Sequence, residues 1–285
     1  MKRRFSLGDL TIYALLGLIA AAMLYPLLNV IAVSLSSEVA YARHPLMIWP
    51  HDFEATSYRW ILTHHLILSS YRNTIIITVV GTLISMFLTA TLAYPLSEAD
   101  LKGRKIFMSL IIFTMFFNGG MIPNYYLVRS LDMIDTLWAL MIPGALSVYN
   151  MILMKNSFEG IPASLKESAY IDGATDWDIF VKVILPLSGP IIATLTLFYA
   201  VGKWNSYFNG ILYIRSRENW TLQLVLRELV SQTETLLNDN TDIASIPAQS
   251  IKYAVIVVAI LPIMCVYPFI QRFFVKGVMV GAVKG

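Results

Sequence analysis

Charged residues in this 285-residue chain are bunched, and long uncharged intervals separate the bunches. Six intervals stand out, at positions 10–37, 73–97, 106–128, 136–154, 183–202 and 253–271. An α-helix rises 1.5 Å per residue and needs about 20 apolar residues to cross a ~30 Å hydrocarbon core. Each interval is close to that length or above it, so the pattern predicts six membrane-spanning helices. Period-two alternation is absent, which argues against a lipid-facing barrel. Composition agrees: 57% of residues are hydrophobic and 14% charged, against roughly 45–50% and 25% in soluble domains. The predicted fold class is an all-α integral membrane protein. It divides into an N-terminal helix with an external loop over 1–72 and a five-helix core over 73–285.

The first interval follows Lys2, Arg3 and Arg4 and ends near Ala32-Val33-Ser34, which resembles a secretory signal with its cleavage site. A signal core covers about 7–15 residues, whereas this interval is far longer, so a retained first span is expected. Twelve of the 21 basic residues fall in alternate polar segments: the N-terminal stretch, 98–105, 155–182 and the tail from 272. The excess of Lys and Arg marks those segments as cytoplasmic and puts both termini on that side of the membrane. Segments 38–72, 129–135 and 203–252 then lie outside. Trp49, Trp60, Trp138 and Trp204, near interval borders, suit the membrane interface.

None of the intervals contains Asp, Glu, Lys, Arg or His. Ion-coupled carriers and membrane-embedded proteases place ionisable groups at mid-membrane, so neither class is favoured. The four histidines, His44, His51, His64 and His65, show no HExxH spacing, and Cys265 is the single cysteine. Metal and disulfide chemistry are therefore not expected. The net charge of +3, spread in short clusters, offers no nucleic-acid footprint. The intervals do carry helix breakers: Pro26, Pro95, Asn118-Gly119-Gly120, Pro123, Pro143-Gly144, Pro186, Gly189-Pro190, Pro262 and Pro268. Breaks are tolerated in lipid where a polar cavity or neighbouring helices satisfy the freed backbone, so these residues fit either a polar pathway or ordinary kinks in a packed bundle.

The polar stretch 158–182 carries two helix starts. Ser164 with Glu167 and Thr175 with Asp178 both match the S/T-x-x-E/D capping pattern. Gly173 stands between them, where a positive φ would close one helix and reverse the chain. A short helix, a tight turn and a second helix leading into the membrane are predicted. Leu165 and Ala169 share one face of the first helix, beside Ser168 and Asp172, and form a small-residue surface that another protein could approach closely.

Here the sequence resembles the inner-membrane permease subunits of binding-protein-dependent ABC importers. Their cytoplasmic loop reads Glu-Ala-Ala, three residues, Gly, nine residues, Ile, one residue, Leu-Pro. This chain has Glu167, Ser168, Ala169, Gly173, Val183, Leu185 and Pro186 at the same spacing, with Ser168 and Val183 as the departures. Gly119 to Pro123, Asp135 to Leu140, Trp204 to Tyr207 and the ending from Gln271 look like the carbohydrate branch, similar to maltose-type and lipoprotein-like oligosaccharide permeases.

The resemblance implies a type I ABC importer permease with a coupling helix, and a transport subunit rather than an enzyme. No G-x-x-x-x-G-K-[ST] phosphate loop occurs, so no cofactor is expected on this chain. ATP and Mg are expected on two cytoplasmic ATPase subunits that dock at Leu165, Glu167, Ser168, Ala169, Asp172, Gly173 and Pro186. A second, homologous permease and an extracellular sugar-binding protein complete the implied assembly, which takes up an oligosaccharide by alternating access. The tail with Lys276, Lys284, Gly277, Gly281 and Gly285 is either a further ATPase contact or a solvated basic end. Sugar contacts combine aromatic faces with amides, which makes Asn118, Asn124, Tyr125, Tyr126, Trp204, Asn205 and Tyr207 the candidate pathway. The competing readings are an importer permease for a non-sugar solute and a secondary carrier working alone.

Overall fold

The computed structural model describes residues 7–63, 65–238 and 248–282. Lys2, Arg3, Arg4, His64, Lys284 and Gly285 lie outside the described residues. Among the described residues the named elements are all helical, and one isolated antiparallel bridge pairs Ser36 with Phe53. The all-α expectation therefore holds.

The first interval forms α1, Leu7–Ser34, followed by the short helices α2, Glu38–Arg43, and α3, Thr56–Thr63. The second forms α4, His65–Ser97, with Pro95 tolerated in its last turn. The third is split into α5, Arg104–Phe116, and α6, Met121–Ser130, which bend by 110°. The fourth is split into α7, Trp138–Met141, and α8, Val148–Glu159. Then come α9, Ala163–Ile171, α10, Asp176–Ile179, a π turn over Phe180–Ile184 and α11, Leu185–Leu187. The fifth interval continues into α12, Gly189–Trp204, bent by 82° from the preceding segment. Beyond it are α13, Phe208–Tyr213, α14, Leu222–Asn238, and α15, Ala248–Ala282.

Among the described residues two helices, Gly8–Ser34 and His65–Ser97, are each long and apolar enough to cross a membrane, or up to four spans if each bent pair counts as one. The departures from straight spans have local causes. At the α5–α6 break Gly120 takes φ +89°, and the Asn118 side chain accepts the Gly120 N–H at 2.9 Å, an Asx turn. Gly144 takes φ +70° directly after Pro143. Pro186 has no N–H to donate, and its ring crowds the carbonyl four residues back; the preceding turn widens, and Leu185 N–H reaches Phe180 O.

The chain forms two units, Met1–Leu68 with Val225–Pro262, and Ser69–Leu224 with Ile263–Gly285. In the first, Ala32, Val33 and Met47 are buried with Tyr41 and Tyr253 packed on them. The Asn29 amide holds the loop by donating to Pro45 O and Met47 O. In the second, α4, α8, α10, the π turn and α12 meet on a dry core of Ala93, Met151, Met154, Phe158, Ile179, Ile184 and Leu195. A separate cluster of Ile77, Val128, Leu140, Met141, Tyr213 and Leu224 gathers α4, α6, α7 and the α13 region. The functional candidates belong to this second unit.

Candidate coupling foot and outer pocket

α9 ends in a paired set of backbone bonds. Gly173, at φ +81°, donates to Tyr170 O at 3.0 Å, and Ala174 donates to Ala169 O at 3.0 Å. This is a Schellman closure with glycine at the left-handed position. Two residues later Thr175 caps α10: its hydroxyl accepts the Asp178 N–H at 3.2 Å, and the Asp178 carboxylate accepts the Thr175 N–H at 3.2 Å. Lys182 Nζ donates to Asp178 at 2.6 Å. That bond, with those from Thr175, holds the Asp178 carboxyl down at about 2. The helix, glycine turn and capped second helix are as the sequence predicts.

The Ser164–Glu167 capping box does not form. Pro162 occupies the N-cap with no side-chain bond, so α9 starts two residues earlier than the hydroxyl pattern requires. Ser164 is then the second residue of the helix, and Glu167 is too far along to reach back. Glu167 is exposed and makes no hydrogen bond or ion pair among the described residues.

The foot is tied to the rest of its unit. Lys166 Nζ meets Glu98 Oε1 at 2.6 Å, just past the end of α4. Glu159, at the end of α8, takes Lys155 at 2.7 Å and also Arg104, whose Nε donates to Leu96 O at 2.8 Å. Tyr170 donates its hydroxyl to Asp176, and that bond, with burial, pushes the phenol up to about 12. Ala169 and Ala174 pack onto the core under α8. Ser168, Asp172, Gly173 and Pro186 are exposed, as is Leu165. Ile171 is 86% exposed and Trp177 61% exposed, which leaves an apolar tip outside the foot's own bonds.

A second candidate site shares no residue with the foot. A cavity of about 470 Å³ is lined by Asn124, Asn209 and Tyr213 with Leu127, Leu131 and Pro143 among its apolar walls. Tyr213 stacks on Tyr125 at 6.2 Å, Tyr126 stands edge-on to Tyr125, and Arg215 donates to the Tyr125 hydroxyl at 3.0 Å. Of the seven candidate sugar contacts, Asn124 lines this cavity, and Tyr125 and Tyr126 stand behind it. Asn118 is used in its turn. Trp204 is 6% exposed, edge-on to Tyr71 at 5.8 Å. Asn205 bonds Val201 O at 3.0 Å, and Tyr207 precedes α13.

Two residues outside those candidate sets are structurally distinctive. Asp135, at φ +61°, joins segments 80 positions apart: its Oδ1 accepts the Arg215 and Ser216 N–H groups, each at 2.9 Å, and Oδ2 accepts the Ser216 hydroxyl. Burial raises its carboxyl, but the bonds from Ser216 and Arg215 outweigh it and hold the group down at about 2. Lys203, which the charge pattern puts at the start of an outer segment, lies half-buried against Gly81 of α4. Its position beside Trp204 carried no signal of that.

The chain belongs to the binding-protein-dependent transport system inner membrane component family, whose model matches residues 78–280. It is 44% identical over 288 residues to the polygalacturonan/rhamnogalacturonan transport system permease protein YtcP of Bacillus subtilis (strain 168), covering 100% of both chains. It is also 44% identical over 272 residues to Protein LplC of the same organism, covering 95% of this chain and 92% of that one. Among solved structures, a bacterial ABC transporter involved in the import of the acidic polysaccharide alginate superposes with a TM-score of 0.86 at 34% identity, over 96% of this chain and 100% of that one.

Proposed function

We propose that this chain is one half of a heterodimeric permease in an ATP-driven importer that takes up an oligosaccharide handed over by an extracellular binding protein. The relatives named for polysaccharide and oligosaccharide transport support the cargo class. In this reading six spans cross the membrane, counting the interrupted helices as spans, with both termini in the cytoplasm. Two separate ATPase subunits hold ATP and Mg and receive the foot in a surface groove.

The observation that carries the reading is the foot itself. Many of its polar groups are spent internally on the Schellman closure, the Thr175 box and the Lys166–Glu98 pair, while Ile171, Leu165 and Trp177 project. An apolar tip on a rigid, charge-braced mount fits a protein groove. Ala169 and Gly173 are the close-approach positions, Glu167 is an unspent carboxylate for a basic partner, and Ser168 and Asp172 flank them. Pro186 shapes the bend by which the foot's displacement enters α12. ATPase dimerisation would carry the foot as a rigid body and switch the permease between inward- and outward-open states. The cavity lined by Asn124 and the tyrosines behind it serve as an outer stop for sugar, with Trp204, Asn205 and Tyr207 further along the path.

The test uses the assembled importer in proteoliposomes. Gly173→Val and Glu167→Lys should each leave ATP hydrolysis in place while abolishing its stimulation by sugar-loaded binding protein, and uptake should stop. Unchanged uptake and stimulation in both variants would overturn the coupling assignment. Sugar uptake by this chain alone, without any ATPase, would favour the stand-alone carrier.

A further inference from the structure

We infer that one face of α4, together with Lys203, is a polar seam that passes carboxylate-bearing sugars, which makes the cargo an acidic, uronate-type oligosaccharide; this rests on the oligosaccharide-import reading above. Thr74, Thr78, Gly81, Thr82, Ser85 and Thr89 recur at i, i+4, i+7, i+8, i+11 and i+15, and so share one face of α4. Thr74, Thr82, Ser85 and Thr89 are all buried. The ends of the seam are satisfied. Thr74 donates to Ser70 O at 2.8 Å and accepts the Leu222 N–H at 2.9 Å. Thr89 shares a 2.7 Å bond with the Tyr199 hydroxyl, which accepts the Ser147 N–H at 3.1 Å.

Between those ends Thr78, Thr82 and Ser85 have buried hydroxyl oxygens with no partner among the described residues. An unsatisfied buried hydroxyl costs about 1–3 kcal/mol, and three on one stretch of one face call for a polar visitor. Lys203 enters the seam at this level. A Cβ on Gly81 would sit 2.6 Å from Lys203 Cδ and 3.1 Å from its Nζ, so the absence of a side chain at Gly81 is what admits the lysine. Gly81 lies eight residues, about 12 Å, inside the outer border of the uncharged interval. The ammonium has three donors, and its one bond among the described residues is to Met141 O at 3.2 Å. The ion pairs among the described residues lie elsewhere, around the cytoplasmic foot.

A cation held within a span with no counter-ion among the described residues is matched by an anion that comes and goes. A sugar carboxylate supplies that charge, and its ring hydroxyls can exchange hydrogen bonds with Thr78, Thr82 and Ser85. Lysine offers a point charge rather than a bidentate fork, which suits a contact that must release its cargo.

The experiment compares uptake of oligogalacturonate and of the same oligomer with methyl-esterified carboxyls by the assembled importer with its binding protein. Lys203→Met should lower oligogalacturonate uptake about tenfold more than ester uptake, the loss of one charge-assisted contact, and Lys203→Arg should restore most of it. An equal loss for both oligomers, or no loss, would overturn the proposal and leave Lys203 a structural tether. Wild-type uptake of neutral oligosaccharides without oligogalacturonate would overturn the acidic cargo alone. Failure to take up any oligosaccharide would sink the import reading instead. A readout independent of delivery uses Thr82→Cys and Ser85→Cys in a Cys265→Ser background. An anionic, membrane-impermeant thiol reagent should label them faster than a cationic one of the same size, and Lys203→Met should remove the preference. No labelling in any nucleotide state would show a dry seam and overturn the proposal.

Discussion

The foot and the seam belong to one unit of the chain and are built on opposite rules. Around the foot almost every polar group is paired: Lys166 with Glu98, Arg104 and Lys155 with Glu159, Thr175 with Asp178, and the end of α9 with its own backbone. Beneath it Met151, Met154 and Phe158 are buried in a dry core. Along α4 three buried hydroxyls have no partner and Lys203 has no counter-charge among the described residues, and elsewhere in the unit a 470 Å³ cavity opens beside Asn124. A lever transmits displacement only if it does not yield, so its interactions are satisfied internally. A path must keep hydrogen-bonding capacity free for what moves along it.

That contrast can be broken most forcefully at its rigid end. Phe158→Ala opens a cavity under the foot and should lower stability by about 3–5 kcal/mol, seen as a fall in the thermal midpoint of the purified assembly. Gly173→Val puts a β-branched residue at φ +81°, where the Cβ meets no neighbour, so the cost is backbone strain alone, about 1–2 kcal/mol. Gly173→Asn should recover much of it, because Asn tolerates the left-handed region. A midpoint insensitive to both would remove the Schellman turn from the account.

Asp135→Asn keeps a residue that accepts φ +61° but removes the charge, and should cost about 1 kcal/mol, at the low end for charge-assisted bonds because the carboxylate is reached by solvent. Its carboxyl is lowered from 3.8 to about 2, so the stabilisation is fully present above the ordinary value and disappears as pH falls through about 2. The variant should therefore lose less stability than the parent between pH 5 and pH 2, measured by urea unfolding at each pH. The seam gives the opposite sign: Thr82→Val removes an unpaired hydroxyl at constant shape and should raise stability by up to about 1 kcal/mol while slowing uptake. A fall in stability would mean that the hydroxyl has a resident partner. The smallest stability effect belongs to Ile171→Asp, within about 0.5 kcal/mol at 86% exposure, although it should abolish stimulation of the ATPase.

The foot was legible in the sequence to the extent that its chemistry is local. Gly173 and Thr175 act on atoms within five residues, and both perform as the spacing predicts. Ser164 and Glu167 fit the same pattern and fail, because Pro162 takes the N-cap and shifts the helix start by two positions. The breaks at Gly120 and Gly144 were likewise visible as residue types. Among the sugar candidates, Asn118 bonds within its own turn and Trp204 packs on Tyr71, contacts that say nothing of sugar, while Asn209 and Tyr213 line the cavity with Asn124 without any motif to announce them.

By itself the sequence determined the solvent, the helical class and the capped turn, since hydropathy and backbone preference are properties of residues and near neighbours. Tertiary structure alone decided that Asp135 would be answered by Arg215 and Ser216, that Gly81 would admit the arm of Lys203, and that three threonine and serine hydroxyls would be buried with no partner among the described residues. Those outcomes depend on which distant surfaces meet, and burial, unlike helix formation, leaves no mark within a short window of chain.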